Sequence, residues 1–234
     1  MKSSRSLSIK IPLRDVIQDQ SHIEQKAKIN ESIAFVAQPK QYALDSDIIS
    51  KESKALHIDV YKHACESYTR LSAESASSSS KSDFHNLAKI NGDLVSARNS
   101  VLLHELFFSN AFCRNSQISI SSIAYARLAR DFGDFNDWQR DFFSRASEMR
   151  CNGWVVTTFD TFLRKFVNIT IHNDNTDAII GSWPVIVLDC HEHSYVKDFN
   201  TNIVDYASKM MAELNWDVIN DRIAKSDSLA QAIK

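Results

Sequence analysis

The sequence predicts an α+β fold, with an N-terminal long helical hairpin followed by a C-terminal α/β unit that contains a three-stranded antiparallel sheet. Two observations support this. Only four glycines and three prolines occur among 234 residues, so long helices can run with few breaks. In the second half, the apolar residues change from helical spacing to short runs rich in Val, Ile, Thr and Phe, which are typical of strands.

The helices of the first half are predicted from apolar spacing and from signals at their ends. A first helix is expected from residue 47 to about residue 76, where apolar side chains recur at helical spacing. The polar, low-complexity stretch 75–82 is expected to be the loop that closes the hairpin. A second helix then follows from about Asp83, a candidate N-cap, through the apolar run 101–112.

The second half is predicted to contain two helices, three strands and a closing helix. The expected ranges are 118–130 and 136–149 for the two helices, 153–163, 165–172 and 183–189 for the strands, and 203–224 for the last helix. The strands are separated by turn residues such as Asn173, Asp174 and Gly181. We therefore expect a division into an N-terminal extension or arm (1–41), a helical hairpin domain (42–115) and an α+β domain (116–234).

Composition and charge narrow the class of protein. A net charge of −2, with scattered Lys and Arg, gives no strong nucleic-acid signal, and no apolar run is long enough to predict a membrane span. The four cysteines are far apart and form no CxxC pair, so we expect an intracellular, reducing compartment, cytoplasmic or mitochondrial. The first fourteen residues contain four basic side chains, several serines and no acidic residue. This composition suits either a transit peptide or an arm that docks on a partner in a larger assembly.

The residues that could carry chemistry centre on the segment DCHEHSY, which follows a predicted strand directly. Asp189, His191 and His193 place a carboxylate and two imidazoles at a strand end, from which side chains can converge. The alternative is a polar corner in which Asp189 caps a helix and the histidines are solvated. His57 and His104 lie among apolar residues on the two predicted helices.

A mononuclear metal site built from three imidazoles and one carboxylate is therefore geometrically plausible. An isolated imidazole inside a helix is more often hydrogen-bonded, but here two helices and a strand end supply His57, His104, Asp189 and His193 together. Such a donor set suits iron, manganese or zinc. The pattern leaves open whether the site is catalytic or structural.

These segments resemble the iron/manganese superoxide dismutases. DCHEHSY is similar to that family's Asp-x-Trp-Glu-His-Ala-Tyr signature, with Asp189 and His193 at its two ligand positions. The segment 43–57 resembles the entry to the family's first helix and puts His57 on the first histidine ligand, while the segment 104–108 resembles the second. The stretch 132–154 is similar to the pattern that leads into the family's first strand.

The resemblance implies one Fe or Mn ion per chain, held by His57, His104, Asp189 and His193, and conversion of superoxide to dioxygen and hydrogen peroxide. It also implies a homodimer in which Glu192 reaches across the interface, and the changes at Val196 and Tyr61 leave open a heterodimer with a related subunit. The alternative is a dismutase-fold structural or interaction protein, such as a subunit of a large assembly. A weaker alternative keeps the metal but changes the chemistry, for example to peroxide handling or to structural zinc.

The resemblance fails around the ligands. His191 stands at the signature's Trp, Tyr61 and Cys65 stand where the family has its gateway His and Tyr, and Val196 replaces a second Tyr. The Gln that hydrogen-bonds the metal's solvent is expected at positions that hold Ser100 and Arg150. His191, Arg150, Tyr61 and Cys65 are therefore the candidate residues around the metal.

Three of these substitutions leave alternatives open. His191 could donate protons, add a ligand or only fill space. Arg150 could face the metal or solvent. Cys65 could be a redox-sensitive thiol or an inert buried one.

Overall fold

The computed structural model describes residues 36–81, 83–149 and 152–232, and within them the chain forms seven helices and three strands. The helices are α1 (Lys51–Ser80), α2 (Phe84–Asn110), α3 (Ile123–Phe132), α4 (Phe135–Ser147), α5 (Glu192–Phe199), α6 (Ile203–Ala212) and α7 (Trp216–Ala232). The strands are β1 (Gly153–Asp160), β2 (Lys165–His172) and β3 (Ser182–Asp189). The predicted fold class is confirmed. The division at residues 41 and 115 stays a prediction.

The hairpin of α1 and α2 begins at capped helix ends. Ser50 caps α1 by accepting a hydrogen bond from the Ser53 amide, so the helix begins at Lys51 and not at residue 47. Asp83 accepts from the Asn86 amide at the start of α2, which confirms the predicted N-cap. The expected second helix therefore has its start in the right place, and it ends two residues earlier than predicted, at Asn110.

The prediction of a loop over 75–82 is wrong, because α1 continues to Ser80. Serine-rich composition favours loops, but here neighbouring residues of α2 satisfy the polar groups of this last stretch. The Asn86 side-chain amide donates to the Ser78 hydroxyl at 2.6 Å and to the Glu74 carboxylate at 3.2 Å. The Asp83 amide donates to the Ser78 carbonyl at 2.8 Å. These contacts override the local composition.

Three further boundaries differ from prediction, and each is set by a side-chain hydrogen bond. Ser122 accepts from the Tyr125 amide, so α3 begins at Ile123 and not at residue 118. Asp134 caps α4, which spans Phe135–Ser147. Strand β1 ends at Asp160 and not at residue 163, because the Asp160 carboxylate accepts two amides of the following turn.

The sheet has the order β2-β1-β3 with both pairings antiparallel. Strand β1 is central and is buried at every residue. In this register Trp154 of β1 pairs with Asp189 at the end of β3. The carboxylate of Asp189 is thereby fixed at the buried end of the sheet.

The prediction of one closing helix over 203–224 is also wrong, because the chain forms α6 and α7 with a break at residues 213–215. The break is held by contacts with the end of α2. The Asn215 amide donates to the Asn110 carbonyl, and the Cys113 amide donates to the Glu213 carbonyl, each at 2.9 Å. Long-range partners of this kind leave no signal in the local sequence.

A buried polar clamp joins α2 to β3. The Asn110 side chain donates to the Val187 carbonyl at 2.9 Å and accepts from the Val187 amide at 2.8 Å, as a neighbouring strand would. The Arg222 guanidinium donates to Asn110 Oδ1 and to the Val185 carbonyl. The clamp fixes the end of β3 against the helical hairpin.

None of the described helices combines the length and apolar character that a bilayer crossing requires.

The close approach of β1 and β2 requires Gly153. A Cβ atom there would lie 2.5 Å from the Ile171 carbonyl oxygen, which belongs to the backbone and cannot swing away. We expect Gly153→Ala to lower the free energy of unfolding by about 1–3 kcal/mol, measured by urea unfolding. Gly92→Ala is the matched control, because a Cβ at Gly92 would meet nothing within 4 Å. On a helix it should stabilise by about 0.5–1 kcal/mol, and equal midpoints for the two variants would contradict this account.

Candidate metal centre

Four separate elements bring three histidines and one aspartate to a common point. His57 comes from α1, His104 from α2, Asp189 from the end of β3 and His193 from the first turn of α5. One potential ligand atom from each lies within 4.8 Å of all the others. The structure therefore brings together all four side chains that the sequence singles out, and their role as metal ligands stays a prediction.

The centre of the cluster is one oxygen of Asp189. Its Oδ2 atom lies 2.8 Å from His57 Nε2, 3.2 Å from His193 Nε2 and 3.9 Å from His104 Nε2. Two donors that are each about 2.1 Å from one ion lie about 3.0 Å apart at a right angle and about 3.6 Å apart at 120°. The three observed distances fall close to that range. The four side chains can therefore hold one ion with little rearrangement.

The other oxygen of Asp189 is oriented by His191. Asp189 Oδ1 accepts from the His191 amide at 2.8 Å and faces His191 Nδ1 at 2.7 Å. Helix α5 is capped by the backbone of His191 and not by the Asp189 side chain. The alternative of Asp189 as a helix cap beside solvated histidines is therefore wrong, because both Asp189 oxygens are used inside the fold and the side chains of His191 and His193 are only 12% and 21% exposed.

The tautomer of His104 is fixed by its backbone contact. Nδ1 lies 2.8 Å from the Ser100 carbonyl oxygen, which can only accept, so Nδ1 carries the proton. Nε2 is then left with a lone pair, buried and without a hydrogen-bond partner. An unpartnered buried nitrogen is unusual, and here it faces the cluster. Metal-binding histidines commonly donate their second ring nitrogen in this way.

Burial and neighbouring charges shift the pKa values of His57, His104 and Asp189 in directions that favour binding of a cation. Burial lowers the pKa of His57, and it lowers the pKa of His104 to about 4, so both imidazoles stay neutral. Burial would raise the pKa of the Asp189 carboxyl, but His191 and His193 hold that pKa well below its ordinary value. Burial would lower the pKa of His191, yet the Asp189 carboxylate raises it. Three imidazoles and one carboxylate form a donor set that suits iron, manganese or zinc.

Aromatic rings enclose the ligand side chains. The Phe107 ring lies 5.2 Å from the His57 ring, and the Trp154 ring lies 4.9 Å from the His104 ring, measured between centroids. Phe108 packs between His57 and Tyr61. These rings exclude water from the helical side of the centre. His193, whose side chain is 21% exposed, faces the open side.

The Tyr61 ring lies 6.2 Å from the His104 ring, its hydroxyl bonds away from the centre, and Cys65 is buried beside Tyr61. The Tyr61 hydroxyl donates to the Glu105 carboxylate at 2.9 Å and accepts from the Lys40 amide at 3.0 Å, and the Lys40 ammonium pairs with the same carboxylate. Burial raises the pKa of the Cys65 thiol. A buried thiol with a raised pKa is the inert alternative of the two that the sequence leaves open.

Of the other predicted residues, some contact the cluster and others lie at the surface. Ser100 faces His104 through its carbonyl, and Glu192 and Val196 lie on exposed turns of α5. His191 contacts Asp189 and is outside the four-residue cluster found among the described residues. Arg150 lies outside the described residues, so neither of its alternatives is tested.

The sequence reasoning missed Asp174, which lies in the turn after β2. The indole N–H of Trp154 donates to its carboxylate at 2.6 Å, and the same oxygen lies 3.9 Å from His191 Nε2. Asp174 has φ 63°, a left-handed conformation that its turn requires. Nothing in the local sequence marks it, because its partners are 20 and 17 positions away. Glu105, which follows His104, was also missed.

Comparison with known protein sequences points to one family. A family model described as "Iron/manganese superoxide dismutases, C-terminal domain" matches residues 121–222. The chain is 30% identical over 107 residues to superoxide dismutase [Mn] 1 of Haloferax mediterranei, which covers 46% of this chain and 72% of that protein. It is 29% identical over 129 residues to superoxide dismutase [Fe] of Cupriavidus metallidurans, covering 55% and 64%.

The fold and the histidine–aspartate cluster define a protein with a candidate mononuclear metal centre. With the comparisons, the chain belongs to the iron/manganese superoxide dismutase family. A further relative, superoxide dismutase [Mn] 2 of Haloferax volcanii, is 29% identical over 116 residues, or 50% of this chain and 57% of that protein. The chain thus spans little more than half of that relative's length.

Metal binding should depend on His104. We expect His104→Gln to lower the affinity for Mn²⁺ or Fe²⁺ by more than the ~10–100-fold that is typical of losses around the ligands. Elemental analysis of the purified chain and titration of the metal-free protein measure this. His63→Gln is the matched control, because His63 lies on α1 with an 82% exposed side chain. Equal metal content in the two variants would show that His104 is not a ligand.

The metal-free protein should lose stability between pH 6.5 and about 4. Burial lowers the pKa of His104 to about 4 and also lowers that of His57, so below pH 6.5 the unfolded chain binds protons that the folded chain excludes. For His104 this amounts to roughly 3 kcal/mol. The raised pKa of His191 acts in the opposite direction. Urea unfolding at a series of pH values measures the effect, and His104→Gln should flatten it; a flat parent curve would contradict the burial argument.

Proposed function

We propose that this chain is a divergent iron- or manganese-type superoxide dismutase that holds one redox metal ion and converts superoxide to dioxygen and hydrogen peroxide. The observation that carries the proposal is the lone pair of His104 Nε2, buried without a partner and aimed at the same Asp189 oxygen as two other imidazoles. Membership of the family and the identity of the donor atoms support it.

A bound iron or manganese ion would supply the exchange of single electrons with superoxide. The chain's own residues hold the ion, orient Asp189 and supply protons. His57, His104, Asp189 and His193 hold the cation, and the ionised carboxylate offsets one of its charges. His191 fixes Asp189 Oδ1, so that Oδ2 faces the imidazoles.

Proton supply falls to the open side of the centre. Formation of one peroxide molecule from two superoxide anions consumes two protons, and the buried imidazoles of His57 and His104 do not carry a second proton near neutral pH. His191 can carry one, because the Asp189 carboxylate raises its pKa against the effect of burial, and its side chain is 12% exposed. Asp174 lies 3.9 Å from His191 Nε2, which favours the charged ring.

A homodimer is the proposed assembly, with Glu192 at the interface. Glu192 and Val196 lie on the exposed side of α5, next to the open side of the centre, so a second copy placed there would cover His193. A heterodimer with a related subunit is the alternative form of the same contact. A larger assembly through residues 1–41 belongs to the second candidate function.

The second candidate is a dismutase-fold structural protein that has little or no enzymatic activity. The observation that favours it is that Tyr61 and Cys65 offer no free polar group to a substrate at the centre. The Tyr61 hydroxyl is bonded to Glu105 and to the Lys40 amide, and the Cys65 thiol is buried with a raised pKa. A protein can keep its fold after losing its enzymatic activity, because different residues determine the fold and the active site.

Metal analysis combined with a superoxide assay separates the candidates. The purified full-length chain should contain close to one Fe or Mn per chain and remove superoxide faster than the free ion, and His104→Gln should lose both properties while His63→Gln keeps them. Stoichiometric Fe or Mn without activity above the free ion would favour the structural candidate. Zinc in place of Fe or Mn would contradict the redox reaction itself.

A further inference from the structure

An apolar groove of about 600 Å³ lies between α2 and one face of the sheet. Leu102 and Leu106 of α2 form one wall, and Ile169 and Ile171 of β2 form the other. Trp183, at the start of β3, also lines the groove and is 36% exposed. The groove is separate from the metal centre, and nothing in the proposed dismutase reaction uses it. A groove of this size and character suits a chain segment with apolar side chains on one face.

The described chain enters the molecule beside this groove. A second groove of about 560 Å³ is lined by Val36, Ala37 and Gln38, the first described residues. The two grooves share four lining residues, Lys40, Arg98, Leu102 and Glu105. The Ala37 amide donates to the Thr69 hydroxyl, and the Lys40 amide donates to the Tyr61 hydroxyl, each at 3.0 Å, so this part of the chain is anchored. The residues that precede Val36 therefore start from the edge of a continuous groove.

Residues 7–13 have the pattern of a strand that is apolar on one face. Leu7, Ile9, Ile11 and Leu13 alternate with Ser8, Lys10 and Pro12. Alternation with period two places all four apolar side chains on one side of an extended chain. Pro12 falls among the outward positions, and proline is accommodated in an extended segment whose amide at that residue makes no ladder hydrogen bond. This segment offers the groove an apolar face and offers solvent a polar, basic one.

The lengths agree. Seven extended residues span about 20 Å, and the α2 wall of the groove, from Arg98 to Ser109, is about 17 Å long at 1.5 Å per residue. The 22 residues from 14 to 35 reach up to about 70 Å when extended, which is far enough to span the domain. Because the segment is covalently attached, its effective concentration at the groove is on the order of millimolar. Weak apolar contacts are then sufficient for occupancy.

We propose that residues 7–13 of this chain occupy the groove between α2 and the sheet, with Leu7, Ile9, Ile11 and Leu13 facing the apolar walls. The segment covers Leu102 and Trp183, which are otherwise exposed large apolar side chains. The amino-terminal arm is thus an intramolecular part of the fold. The proposal does not depend on the dismutase reaction.

Site-specific photo-crosslinking on the full chain tests the proposal. A p-benzoylphenylalanine at position 11 should crosslink within one chain to residues 98–109 or 178–184, identified by mass spectrometry of the monomer band. The same probe at position 8, on the polar face, is the matched control and should give little such product. Crosslinks at dimer mass would assign the groove to a second copy. No crosslink, or equal yields at positions 8 and 11, would also overturn the proposal.

A pair of groove variants adds a second readout. Leu102→Glu places a carboxylate in the wall shared by both grooves and should lower the position-11 crosslink about tenfold or more, because burial of the new charge opposes docking. Val95→Glu is its control, since Val95 lies on the same helix with 42% exposure, close to the 40% of Leu102, and lines neither groove. Equal yields in the two variants would show that the probe docks elsewhere. The parent-chain crosslink still decides the matter if Leu102→Glu does not fold.

Discussion

The rest of the site depends on one buried carboxylate. Asp189 has no exposed surface, and an ionised carboxyl group in that position is costly unless every lone pair meets a partner. Two donors from His191 satisfy Oδ1, and three imidazole nitrogens surround Oδ2. Without a cation, the protons that hold this carboxylate must come from the histidines themselves. A metal ion would replace them with a charge at the centre of the cluster, and it would use the lone pair that His104 leaves unpaired.

The residues around the carboxylate hold the elements that carry these buried polar groups in fixed positions. Asn110 pairs with both backbone groups of Val187, two residues before Asp189, and Arg222 holds Asn110 from the other side. Trp154 pairs with Asp189 across the sheet while its ring packs on His104. The contacts of Asn110 and Arg222 therefore fix the end of β3 relative to α2 without involving the four candidate ligands. The four donor atoms can converge because the elements that carry them are already in position.

The sequence predicted the fold class and the four converging side chains, because each depends on patterns that local residues carry. Apolar spacing and caps such as Asp83 mark the helices, and DCHEHSY marks the strand end. The break between α6 and α7 depends on the backbone of Asn110, about a hundred residues away, and the extension of α1 through its serines depends on Asn86. Asp174 was missed for the same reason, since its relation to Trp154 and His191 exists only after the sheet has formed.

Two further carboxylates, those of Asp174 and Glu105, lie near the centre. Asp174 and Glu105 both accept hydrogen bonds from aromatic side chains that pack on the ligands, Trp154 in one case and Tyr61 in the other. Glu105 is paired with Lys40, so its field is largely offset, whereas Asp174 faces His191 at 3.9 Å without forming a short bond to it. Negative charge beside a metal favours its higher oxidation state. Asp174 would therefore favour the higher oxidation state of an ion held by the four side chains, and His191, which faces Asp189 at 2.7 Å and Asp174 at 3.9 Å, would offset part of that effect whenever its ring is charged.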